Sequence, residues 1–96
     1  QLQAIKDSGA NMIMTALSGT VGTAYGKAWE ELKIPAASVG INVMAQADNF
    51  IGSTGGFGNY ETTLNTYARG VEFTEKTAPF MDAFIAEMKN ALWRID

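Results

Sequence analysis

The stretch from Ile51 to Glu61, IGSTGGFGNYE, holds four of the chain's ten glycines. Glycines this dense can form a phosphate cradle, in which converging backbone amides hold the anion and a lysine and a hydroxyl complete the site. Here Gly52, Gly55, Gly56 and Gly58 run into Asn59 and Tyr60, and the next lysine is Lys76. The G-x-G-x-x-G spacing of a dinucleotide site is missing as well. The stretch reads as a hinge, with left-handed backbone at the glycines ending one helix and Asn59 capping the next.

The remaining chemistry-bearing residues are as sparse. Glu72 and Glu75 share a helix face as a metal pair would, yet carboxylate-bridged dimetal sites pair glutamate with histidine, and the chain has no histidine. Lys76 and Arg69 stand at pairing distance from Glu72, so ordinary surface ion pairs account for the charges. Glu30 and Glu31 are adjacent and point apart on a helix. Ser8, Ser18, Ser38 and Ser53 have no histidine to act as base, and IGSTGG is not the G-x-S-x-G elbow. With no cysteine there is neither a disulfide framework nor a thiolate metal site. The expectation is a non-enzymatic chain without catalytic residues, metal or cofactor.

Composition points to a partner. The net charge is −3 and the seven basic residues are scattered, which excludes the clustered basic face of a nucleic-acid binder. Charged residues make up 18 % of the chain. Ordinary soluble domains carry roughly 25 %. Residues 8–26, 34–47 and 49–60 carry no charge at all. Surface that poor in charge is expected to face another protein. Residues 8–26 are long enough to suggest a membrane contact, but their hydroxyls and glycines make a buried helix the preferred reading. The opening Gln1 suggests either removal of a leader or an excerpt of a longer chain.

Periodicity then assigns the elements. Tyr60, Leu64, Tyr67, Val71, Thr74, Ala78, Met81, Ile85, Met88, Leu92 and Ile95 alternate spacings of four and three, which predicts a helical seam. Pro79 kinks or divides it. Ile5, Gly9, Ile13, Leu17, Val21, Ala24, Ala28 and Leu32 predict a first helix. Within that helix, Gly19, Gly22 and Gly26 mark either a break near residues 18–20 or a small-residue groove for close packing. Pro35 ends it. Val39, Ile41 and Val43 alternate like a strand, but Val39, Val43, Ala47 and Phe50 fit a helix, and no second strand offers itself for pairing. The predicted fold is all-α, a helical hairpin or small antiparallel bundle in one domain, with helices over 2–33, 37–51, 60–77 and 79–95 and the glycine turn between.

Two motifs resemble small helical export substrates. Tyr60, Leu64 and Tyr67 in an amphipathic C-terminal helix look like the needle and inner-rod subunits of type III secretion systems, with glycines where those turns carry Pro and Asn. FIGSTGG sits where the WXG-type secreted hairpins carry Trp-x-Gly, with Phe50 in place of the tryptophan. Each likeness covers one short motif and the chain length, and neither family is assigned.

The first functional expectation is a structural subunit, extracellular or exported, that assembles with itself or another helical protein into a homo-oligomer or filament. Its interface residues would be Tyr60, Leu64, Tyr67, Val71, Met81, Ile85, Met88, Leu92 and Trp93. The alternatives are a small module binding an apolar ligand or lipid, and an accessory part of a larger complex.

Overall fold

The computed structural model describes residues 1–68 and 70–88. The chain divides into two units, Gln1–Asn65 and Thr66–Asp96. The expected all-α hairpin is overturned: the first unit is built on a parallel sheet with helices.

Its elements are α1 (Leu2–Asp7), β1 (Met12–Leu17), α2 (Val21–Glu31), β2 (Ala37–Asn42), a 3-10 turn (Val43–Gln46), α3 (Phe50–Ser53) and β3 (Thr62–Thr63). The sheet order is β1-β2-β3 and both pairings are parallel. Met12 pairs with Ala37 and the register runs without slippage to Leu17 opposite Asn42. A parallel pair needs a crossover rather than a tight turn, and α2 supplies it.

Two glycines explain why the expected helix over 2–33 becomes helix, strand and helix. Gly9 and Gly19 adopt φ of 73° and 67°. These left-handed values terminate regular structure on either side of residues 12–17. The short uncharged run between them forms a strand that buries or half-buries Ile13, Thr15 and Leu17 on one face. The expected helix over 37–51 gives way to the strand alternation at Val39 and Ile41, because β1 is the partner that an all-helical reading does not supply.

The core lies where α2 meets the sheet. Trp29, Ile34 and Ala36 form it, with Leu2, Ile13, Tyr25 and Leu32 packed around them. Trp29 Nε1 donates to the Ala36 carbonyl at 3.0 Å. That bond satisfies the indole where water is excluded. The buried face of α2 is Gly22, Gly26 and Trp29, not the expected Val21, Ala24, Ala28 line, and Val21 is exposed. At its end, Ile34 N–H donates to Trp29 O at 3.2 Å and Lys33 N–H to Glu30 O at 2.9 Å. This is a Schellman motif, and Pro35 follows it. The Lys6 ammonium donates to Leu32 O at 2.7 Å. A cation thus sits at the negative end of α2.

The two faces of the sheet differ. Ile13, Thr15, Leu17, Ser38, Gly40 and Asn42 lie on the face that α2 covers, and all are buried or half-buried. Met12, Met14, Ala16, Ala37, Val39 and Ile41 lie on the other, and all six are exposed.

In the second unit, α4 covers Thr77–Glu87. Pro79 falls in its first turn. A missing amide hydrogen costs nothing there, so the proline starts a helix rather than kinking one. The predicted helix over 60–77 is not present. Tyr60 and Gly70 take φ of 66° and 82°, and the seam is interrupted at both. The ring centroids of Phe80 and Phe84 are 6.1 Å apart on α4, and those of Tyr67 and Phe73 are 6.3 Å apart before it.

Candidate functional site

No single helix carries the expected interface residues that are described. Tyr60, Leu64, Val71, Ile85 and Met88 are exposed, Tyr67 is half-buried and Met81 is buried. Leu92 and Trp93 lie outside the described residues. Of the hinge glycines, Gly55 and Gly56 close α3 at φ of 75° and 95°, with Gly56 N–H donating to Ile51 O at 2.8 Å. Gly52 is within α3, and Gly58 lies against the Phe50 ring.

Asn59, expected as a helix N-cap, has a different role. Its amide donates to Glu30 Oε2 at 2.7 Å and its side chain to Glu30 Oε1 at 3.2 Å, which ties the glycine loop to α2. The Asn59 backbone bond, with help from its side chain, holds the Glu30 carboxyl below its usual range.

The structure instead assembles polar side chains where β2 ends. Asn42 is fully buried. Its Nδ2 donates to Gly22 O in the first turn of α2 at 3.1 Å and to Glu61 Oε1 at 2.7 Å. Its backbone N–H donates to Thr63 Oγ1 at 3.0 Å, and that hydroxyl donates back to Asn42 O at 3.1 Å. Behind it, Ser38 Oγ lies 2.8 Å from the Tyr25 phenol oxygen and donates to Glu61 Oε1 at 3.5 Å. One buried amide thereby joins a helix, the central strand and the edge strand.

Gly22 and Gly26 make this possible. A β-carbon on Gly22 would collide with the Asn42 side chain, and one on Gly26 would stand 2.6 Å from the Phe50 ring and 2.9 Å from Glu61 Oε2. The small-residue groove exists, filled by the side chains of Asn42 from β2, Phe50 from α3 and Glu61. Burial pushes the Glu61 carboxyl upward against the opposing bonds from Asn42 and Ser38. Burial also raises the Tyr25 phenol, partly offset by its bond to Ser38 and reinforced by the Glu61 charge. Thr15 Oγ1, Asn42 Oδ1 and Glu61 Oε2 are buried without a hydrogen-bond partner among the described residues.

Above this network lies the carboxyl edge of the sheet. β1 leads through Ser18, Gly19 and Thr20, all exposed, into the start of α2, which no side chain caps. Open parallel sheets take their ligands at this edge, where helix N-termini present amide hydrogens and partial positive charge. Sequence reasoning considers Ser18 as a nucleophile and passes over Asn42, Glu61 and Thr20. A polar Asn42 at an inward position of an otherwise uncharged segment is the signal available. Among the described residues no group of three or more metal-binding side chains occurs, and no helix is long and apolar enough to cross a membrane.

Comparison with family models, curated proteins and solved structures finds no match to this chain.

Proposed function

We propose that residues 1–65 act as a non-enzymatic binding unit for a small polar ligand, seated at the carboxyl ends of β1 and β2 against the first turn of α2. The observation that carries this reading is the exposed Ser18-Gly19-Thr20 turn, which joins the end of β1 to an uncapped helix start. Two hydroxyls there offer both donors and acceptors, and the helix end favours an anionic or carbonyl oxygen. Asn42 holds the floor of the edge in place through Gly22 O. No histidine accompanies Ser18, so binding rather than acyl transfer fits these residues. The polar character of this edge favours such a ligand over the apolar one that the sequence offers as an alternative.

The test is a nitrogen–proton NMR titration of the full chain with acetate and, separately, inorganic phosphate. The expected result is a saturable shift confined to the amides of residues 18–22 and weakened by Thr20→Ala. Shifts scattered over the surface, or none, would defeat the reading.

A second reading is assembly with another copy or partner, and it rests on a separate observation. The six exposed residues of the uncovered face are all apolar. Parallel sheets are normally covered on both faces. Light scattering of wild type and Met14→Lys decides it: a mass above one chain that falls on substitution supports assembly through this face, and an unchanged mass opposes it.

A further inference from the structure

Glu61 reaches inward from the segment leading into β3 and meets no cation in its described hydrogen bonds. Its Oε1 accepts from Asn42 Nδ2 at 2.7 Å and Ser38 Oγ at 3.5 Å. Its Oε2 is buried, has no hydrogen-bond partner among the described residues and lies over Gly26. The groups facing it can be named element by element. From α2 comes Tyr25, whose phenol shares the Ser38 hydroxyl at 2.8 Å. From β2 come Ser38 and Asn42, neither of which titrates. From α3 comes the Phe50 ring, packed against Gly26 and Gly58. An ionised carboxyl here therefore keeps its charge with two neutral donors and one bare oxygen. A neutral carboxyl keeps the Asn42 bond on Oε1 and loses the cost of burying charge on Oε2.

We propose that Glu61 is a proton-operated clamp: neutral, it holds the end of β2, the first turns of α2 and β3 together, and ionisation loosens that junction. The proton comes from water and stays on Glu61, so no other group need change charge. The strain passes through Asn42, which bonds Gly22 O on one side and Thr63 Oγ1 on the other. It reaches the sheet edge at Leu64, whose N–H donates to Gly40 O at 2.7 Å. The upward push of burial on Glu61 acts in the same sense. The clamp does not depend on any ligand.

Amide hydrogen exchange of the full chain, corrected for the intrinsic pH dependence of exchange, tests it. At about pH 8 the Asn42 and Leu64 amides should open about threefold or more as often as at about pH 5. The Ile34 amide, bonded to Trp29 O in the turn that ends α2, should keep a constant ratio. Glu61→Gln should abolish the difference at Asn42 and Leu64. An equal opening rate at both pH values in wild type, or a difference that survives in Glu61→Gln, overturns the clamp. Should the variant fail to fold, the carbon resonance of the wild-type Glu61 carboxyl decides: a change of charge within that range supports the clamp, and a carboxyl ionised throughout refutes it.

Discussion

Asn42 sits against the α-carbon of Gly22 and donates to its carbonyl at 3.1 Å, a contact that leaves no room for any side chain on the helix. Gly22→Ala should therefore destabilise by about 2 kcal/mol or more, because the clash is with a buried side chain held at several points. Gly52→Ala should have the opposite sign. Gly52 lies in α3 with nothing near its missing β-carbon. Alanine there gains about 0.5–1 kcal/mol of helix propensity. Urea unfolding midpoints of the two variants provide the check.

Asn42→Ala removes a donor from Gly22 O and from Glu61 Oε1, leaving the latter only the longer Ser38 bond. The expected loss is about 2–3 kcal/mol in urea unfolding, the cost of removing two hydrogen bonds made by a buried amide, one of them to a carboxyl. Thr63→Val should lose less, since it strands only the Asn42 backbone groups at the sheet edge.

Lys33 carries the left-handed turn that ends α2, at φ of 50°. Glycine reaches that conformation without the β-carbon penalty, and the Schellman bonds are backbone bonds that it retains. Lys33→Gly should stabilise by about 0.5–1 kcal/mol, read as a raised thermal midpoint.

The same residues mark what is legible in the sequence and what is hidden. Ile13 and Leu17 are four apart, a spacing that returns to one face both in a helix and in a strand, so it does not separate the two. The left-handed glycines at 9 and 19 mark the strand ends, but a single sequence shows only that glycine is there, not its φ. Alternation at Val39 and Ile41 is visible, yet a strand needs a partner, and residues 12–17 read as helix. The long C-terminal seam fails at Gly70, since a spacing pattern takes no account of a residue that breaks it. The site is the least legible part. Asn42, Ser38 and Glu61 are distant in sequence and meet only through the parallel register and crossover.

Glu30 and Glu61 should respond to pH in opposite senses. The Asn59 bonds lower the folded-state pKa of Glu30, so its contribution is present above the unfolded value and lost as pH falls through the folded one. Glu61 is raised, so its contribution is present below the unfolded value and lost as pH rises through the folded one. Acidification should release the Asn59 amide. Glu30→Gln should speed exchange at Asn59 at neutral pH while leaving Leu64 unaffected.

Met14 is 82 % exposed on the uncovered sheet face. Met14→Lys and Val39→Lys should each change unfolding free energy by less than about 0.5 kcal/mol, as substitutions away from the packed face do. Both should shorten retention on a hydrophobic column. A drop of several kcal/mol would mean that this face is packed within the chain.

The parallel pairing of β1 with β2 brings Asn42 beside α2 and sets the carboxyl edge, so it is the pairing to measure first. Backbone nuclear Overhauser contacts between Met14 and Val39, with extended carbon shifts over residues 12–17 and 37–42, are the expected result. Helical shifts through both segments, with no contact between them, would contradict it.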